Sequence, residues 1–371
     1  MYEFEGFISN VKYRTFLRAH LNEYKIETFD INAAKGWGVV DLGNQTLGFS
    51  KWVSPKRTRS YPYARIYNTY HLPKRVTVIP VIKDEGLRGD NDRINFITLS
   101  MMNLLNVFIV LAWYDDAKAN PRKEGKITSQ RFNVQYVNER LIEIGDYQQT
   151  ALHWNLMHFK RDFERVFLNA VESYERISQK TGIKMHPVSR NLSLLEEFKV
   201  AGEFDSTAFK EISLAGSESA ARREILTTHI HELLSEGSKA YFLLRNYVGG
   251  MYHLTADEVI VGDEKIVLQE SKNTSRHRLP SMNDVKDGLL KLILYSNIDE
   301  LRLNGEGKAF SVRLKLTGNI VGSLFLPNDT TVIDAFCTEN SLRTRERYLL
   351  ARLNEEAEFN QFQIVIAGNQ P

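Results

Sequence analysis

Apolar residues in this chain recur at two spacings, and the switches between them mark out its elements. Glycines interrupt two short apolar runs between 36 and 50, the signature of a hairpin. VTVIPVI at 76–82 is an unbroken apolar run of strand length, as expected of a buried strand. Residues 1–30 read as helical, and HWNLMHFKRDFERVFLNAVESYERI continues a helical spacing before the Gly- and Pro-bearing stretch KTGIKMHPVSR at 180–190. From Ile94 to Tyr114 the chain is uncharged and nearly long enough to span a bilayer. Asn95, Thr98, Ser100, Asn103 and Asn106 would then lie in lipid at a high transfer cost, so a helix through Leu105 followed by a buried strand VFIVLAWY is the expected reading.

Beyond 190 the order of elements is more definite. A long helix is predicted from Ser217, with Leu226, Ile230, Leu233, Tyr241 and Leu244 at helical spacing, ending at Gly249-Gly250. Short apolar runs follow as strands: MYHL, EVIV and, after the turn Gly262-Asp263-Glu264, KIVLQ. In SMNDVKDGLLKLILYSN, Ser281 or Asn283 can cap a helix that buries Val285, Leu289, Leu292 and Ile293. AFSVRLKLT at 309–317 alternates as a strand does. The expected class is mixed α/β, and 371 residues exceed one typical core. Two domains are therefore expected, an N-terminal α/β domain over 1–190 and a second over 191–371.

Composition changes this picture little. At 43% hydrophobic and 25% charged residues the chain is ordinary globular material, and a net charge of +2 points to no partner by itself. The single cysteine, Cys337, rules out an internal disulfide or a thiolate zinc site, and with a charged N-terminus lacking an apolar core it suits a reducing cytoplasm. The charge distribution is more telling. Residues 51–75 carry seven Lys or Arg, no acid, and the aromatics Trp52, Tyr61, Tyr63, Tyr67 and Tyr70. Basic side chains interleaved with rings suit a polyanion, so Lys56, Arg57, Arg59 and Arg65 are candidate DNA contacts.

The chemistry concentrates in the hairpin at 250–273. Centred on Asp263-Glu264, it pairs residues whose numbers sum to 527, which sets Asp257 opposite Glu270. Glu270 and Lys272 are two apart on one strand and share a face, so Asp257, Glu270 and Lys272 meet in one corner. Two carboxylates there can hold Mg²⁺ together with phosphate oxygens, and the ammonium can orient water or offset phosphate charge. The approach to the pattern, IVL, is apolar, where an unpaired charge is costly.

ADEVIVGDEKIVLQESKN followed by DVKDGLLKLILYSN, in the order helix, strand with Asp, strand with ExK, helix, strand, resembles the PD-(D/E)XK nuclease superfamily and, within it, type II restriction endonucleases. The resemblance covers about 217–317, with Ala256 where the superfamily's name has proline. It implies a restriction-endonuclease-like core, Asp257 and Glu270 as metal ligands, Lys272 as the catalytic lysine, and Glu236 on the first helix as a further acid. The basic stretch TSRHR, directly after the ExK strand, makes Arg276 and Arg278 candidate contacts to the DNA backbone, with an ordinary surface loop as the alternative. The implied activity is Mg²⁺-dependent hydrolysis of double-stranded DNA by a homodimer. Alternatives are a repair or mobile-element nuclease on the same core and a non-catalytic nucleic-acid-binding protein. A second acid pair, Asp84 and Asp116, would share a site if the strands preceding them were parallel neighbours. No phosphate-binding glycine loop occurs, so no nucleotide cofactor is expected, and no histidine pair has helical metal-site spacing.

Overall fold

Alternation along Phe310–Gly318, where Val312, Leu314 and Leu316 are buried between less buried neighbours, lays down a strand at the heart of the C-terminal half. The computed structural model describes residues 2–56, 60–94, 96–196, 199–200, 203–204, 238–246, 251–262 and 265–368. Its chain divides into two compact units, Leu21–Gly216 and Met1–His20 with Ser217–Pro371. The boundary expected near 190 thus falls inside the first of these, and the first twenty residues belong with the C-terminal half.

The unit formed by the two ends of the chain is built on a nine-stranded mixed sheet. Its strands are β1 (Tyr2–Ile8), β2 (Ser238–Asn246), β3 (Met251–Val261), β4 (Ile266–Asn273), β5 (Glu300–Leu303), β6 (Glu306–Gly307), β7 (Phe310–Gly318), β8 (Ser323–Leu326) and β9 (Gln363–Gly368). They lie in the order β6-β5-β1-β2-β3-β4-β7-β9-β8. Strands β3 and β4 form the expected antiparallel hairpin, with Glu258 opposite Gln269 and Val261 opposite Ile266. Strand β4 then runs parallel to β7 over its whole length, and β7 parallel to β9. The helices are α1 (Met282–Tyr295), α2 (Thr330–Glu339) and α3 (Thr344–Asn360). Ser281 caps α1 by accepting from the Asp284 amide, which resolves the choice between Ser281 and Asn283. Val285, Leu289, Leu292 and Ile293 are all fully buried.

Two helical expectations fail here. Residues 2–8 are a strand whose buried positions, Phe4, Gly6 and Ile8, alternate with exposed ones. Ser238–Asn246, expected as the last turns of a long helix, is strand β2, parallel to β1 from Tyr2 opposite Ala240 to Ile8 opposite Asn246. Tyr241 and Leu244 therefore lie in a strand, while Leu226, Ile230 and Leu233 lie outside the described residues. Pairing between segments this distant in sequence overrides local propensity. Gly6 is tied to this pairing, since a β-carbon there would come within 2.6 Å of Leu244 Cδ2.

After β1 the chain is docked onto α3. The Glu356 carboxylate, fully buried, accepts from the Tyr13 hydroxyl at 2.8 Å and from the Phe16 and Leu17 amides at 3.0 and 3.1 Å. Asn360 bonds both backbone groups of Arg14. On α1, burial pushes the Lys286 ammonium down from its ordinary 10.5 to about 8, with Glu356 opposing the shift. The folded value lies below the unfolded one, so the unfolded chain binds the extra proton between those two pH values and stability rises with pH across that window. Lys286→Met removes this titration, so the variant's stability relative to the wild type is expected to decline as pH rises from 8 to 10.5. Urea midpoints at each pH check this, and a pH-independent difference contradicts it.

Within Leu21–Gly216, Glu23–Lys25, Trp37–Asp41, Thr46–Lys51, Arg75–Pro80 and Phe108–Ala112 form a five-stranded sheet in that order. The expected hairpin at 36–50 and the buried strand at 76–82 are present, the latter ending at Pro80. The uncharged run resolves into a helix, Phe96–Leu104, and the strand Phe108–Ala112, and no helix among the described residues is long and apolar enough to cross a membrane. Phe108–Ala112 is an edge strand. Its outward backbone groups are satisfied by the long helix Ala151–Thr181: Asn155 Oδ1 accepts from the Ile109 amide, Trp154 Nε1 donates to the Ile109 carbonyl, and His158 Nε2 accepts from the Leu111 amide. His158 is thus a packing residue, whose other ring nitrogen bonds Asp162 at 2.9 Å.

Candidate active site

An acid that ends an antiparallel pairing can replace the next ladder bond with its own side chain. Asp257 does so: the last paired residues are Glu258 and Gln269, and one step beyond them Asp257 Oδ2 accepts from the Ser271 amide at 3.0 Å. Alternation along β4 turns Glu270 and Lys272 to the face opposite Gln269, which bonds Glu258. Helix α1 covers the Glu270 face, and Tyr295 at its end donates to the Thr255 carbonyl. Gly288 allows this approach, because a β-carbon there would stand 3.0 Å from Leu314 Cδ1 and 3.3 Å from Lys272 Cε.

Asp257, Glu270 and Lys272 are drawn into one ionic cluster with two residues of α1. Glu270 is completely buried and takes one ammonium on each oxygen, Lys272 on Oε1 and Lys291 on Oε2, both at 2.9 Å. Lys291 also lies 3.7 Å from Asp257 Oδ1, and Lys272 lies 3.6 Å from Asp287. Burial raises Glu270 above the usual carboxylate range, and the neighbouring charge of Asp257 adds to this against the two lysines. Burial also works against ionised Asp257, but Lys291, Lys272 and the Ser271 amide outweigh it and hold the group below its ordinary value. Lys272 is held above its ordinary value because Glu270 outweighs burial. It stands as a charged donor, not as a free base.

This donor set fits a hard divalent cation. Two carboxylates converge on one buried cationic group, and two protein carboxylates completed by water and phosphate oxygens are enough for Mg²⁺. Among the described residues no group of three or more His, Cys, Asp or Glu could hold a metal, and Asp287, the third acid of the cluster, lies toward Lys272. Glu236, the expected third acid, lies outside the described residues, as do Asp263 and Glu264 of the turn. Sequence reasoning missed Asp287 and Lys291. A lysine inside the apolar run LLKLILY, four residues after an acid, was the available signal, since such a charge is costly without a partner.

The basic segment 51–75 looks different in three dimensions. Trp52, Tyr63, Tyr67 and Tyr70 are buried, and only Tyr61 is exposed. Arg65 Nη1 donates to the Lys51 carbonyl, and burial lowers the guanidinium from its ordinary range. Lys51 donates to the carbonyls of Ile31 and Ala34, Lys74 to those of Ile144 and Gly145, and Arg75 to that of Tyr70 while lying over its ring. These cations serve as caps for backbone carbonyls, which removes the need for acids in the segment. Arg65, expected to face a phosphate, is thus partly buried and already bonded to a backbone carbonyl. Lys56 is half exposed and paired with buried Asp92 at 3.1 Å, while Arg57 and Arg59 lie outside the described residues. Arg276 is exposed and Arg278 partly so, in a loop fastened to β7 by bonds from the Thr274 amide to Thr317 and from the Asn319 amide to His277.

The second acid pair does not assemble. Arg75–Pro80 and Phe108–Ala112 are parallel neighbours, but both acids lie beyond them in separate two-stranded ribbons. Asp84 is buried and bonded by the Gly86 and His186 amides and by His186 Nδ1, whereas Asp116 pairs with Lys180 at 2.6 Å. Comparison with protein-family models, curated proteins and solved structures found no match.

Proposed function

We propose that the protein is a Mg²⁺-dependent endonuclease that hydrolyses phosphodiester bonds of double-stranded DNA, with the PD-(D/E)XK arrangement its sequence resembles. The observation that carries this reading is the convergence of Asp257, Glu270 and Lys272 at the far end of the β3–β4 hairpin from its turn. Asp257 and Glu270 would hold the metal. When bound, it supplies Lewis-acid polarisation of the phosphate and a more acidic water. Lys272 reaches the cluster's outer rim with its side chain 20% exposed, so its ammonium can donate to the attacking water or to a non-bridging phosphate oxygen. The apolar floor beneath it, Leu268 and Leu314, strengthens these interactions by excluding solvent. One such site cuts one strand, so cleavage of a duplex calls for two chains.

The direct experiment is a Ca²⁺ or Mg²⁺ titration beside a plasmid digest. The wild type is expected to bind metal and give discrete fragments, and Asp257→Asn to lose both. A second reading has its own support: each carboxylate already faces an ammonium, as in a structural ion-pair network of a non-catalytic nucleic-acid-binding protein. On that reading Asp257→Asn leaves metal response and DNA affinity unchanged.

For the DNA surface, Lys56, Arg57 and Arg59 remain the candidates of the basic segment, with Arg276 and Arg278 next to β4. Replacing Arg57 and Arg59 together is expected to weaken binding to all sequences alike and to flatten log affinity against log salt by about one unit per lost phosphate contact. An unchanged slope would move the interface to the loop at 274–278.

A further inference from the structure

The two lysines of the cluster are not equivalent. Lys272 takes the outer oxygen of Glu270 and lies near Asp287, at the rim. Lys291 comes from α1, with its side chain 7% exposed, and its ammonium contacts one oxygen of each carboxylate, 2.9 Å from Glu270 Oε2 and 3.7 Å from Asp257 Oδ1. A divalent ion held by Asp257 and Glu270 would draw on these same two carboxylates. Two cations on one pair of oxygens repel strongly where solvent is excluded.

We propose that Lys291 is an intramolecular counter-ion that a divalent cation displaces, the ammonium and the metal being alternative occupants of the Asp257–Glu270 pair. This rests on reading those two acids as metal ligands and adds a regulatory element to that site. Without a metal, Lys291 lets two like charges sit together in a buried corner, which an unpaired carboxylate pair could not do cheaply. With a metal, Lys291 must find another acceptor, and Asp287 stands one helical turn before it on α1 at ion-pair spacing. Metal affinity is then the difference between two cations competing for one pair of acids. The site is set to fill only at metal concentrations high enough to expel the lysine.

The test uses the full chain without DNA. Ca²⁺ binding by calorimetry is compared for the wild type, Lys291→Gln, Lys291→Met and Asp257→Asn. Removing the competitor is expected to tighten binding by roughly tenfold or more, within the usual range of coupling between two sites. Crystals of the wild type soaked in Mn²⁺ give a second readout that needs no variant to fold. An anomalous peak is expected between Asp257 and Glu270, with Lys291 Nζ withdrawn from Glu270 Oε2. Unchanged or weaker Ca²⁺ binding in the Lys291 variants overturns the displacement, as does a Mn²⁺ peak beside an unmoved Lys291. In either case, metal binding that Asp257→Asn abolishes leaves the metal-site reading standing. Absence of metal binding in the wild type and every variant overturns both.

Discussion

On the proposed nuclease reading, Lys272→Ala is expected to lower the rate of DNA cleavage at saturating Mg²⁺ by roughly a hundred- to a thousandfold, the usual effect of removing one donor aimed at developing charge. Its Kd for DNA is expected to change little, because affinity comes mainly from phosphate contacts spread over the surface. The fold is expected to survive, since Glu270 keeps Lys291 on its other oxygen. Single-turnover cleavage and a binding isotherm on the same duplex separate the two effects. Lys272→Arg tests whether charge alone suffices: a guanidinium cannot take the compact place of the ammonium 2.9 Å from Glu270 Oε1, so only partial recovery is expected. Cleavage at wild-type rates in Lys272→Ala would remove the residue from the mechanism.

Glu356→Leu is expected to destabilise the unit formed by the two ends of the chain strongly. It deprives the Tyr13 hydroxyl and the Phe16 and Leu17 amides of their acceptor, at about 1–3 kcal/mol for the buried Leu17 amide and less for the two part-buried groups. Lys286 loses the charge that offsets its burial as well. The losses overlap, and a total of about 3 kcal/mol or more is expected, lowering Tm by roughly 6–12 °C for a unit of this size. Glu356→Gln keeps an acceptor oxygen and is expected to lose less. Thermal unfolding of the three proteins checks the order, and a Leu variant within about 0.5 kcal/mol of the wild type, the range of an ordinary surface change, would show that residues 13–17 are held by other contacts.

The parts of the chain that read correctly are those whose physics is local. The β3–β4 register follows from a short turn, and the sum rule that set Asp257 opposite Glu270 holds through Glu258 and Gln269, one step away. The start of α1 follows from the Ser281 cap, and its buried face from a period of 3.6. The misread parts depend on distant partners. Residues 2–8 alternate cleanly, yet nothing nearby shows that they are flanked by strands 238–246 and 300–303. The apolar run before Asn246 fits a helix or a strand equally well until that partner is known. The same holds for the basic segment, because whether Arg65 meets a phosphate or the Lys51 carbonyl depends on which backbone passes beside it.

The amino-acid sequence alone thus determined the mixed α/β class, the hairpin, and the presence of Asp257, Glu270 and Lys272 on one corner of it, because strand alternation and turn geometry act over a few residues. Only the tertiary structure decided that the two ends of the chain share one sheet, that four of the five aromatics at 51–75 are core, and that Lys291 and Asp287 complete the cluster. Burial is the reason: the cost of an unpaired charge or an unsatisfied carbonyl is set by what surrounds it, and residues far apart in sequence supply those surroundings.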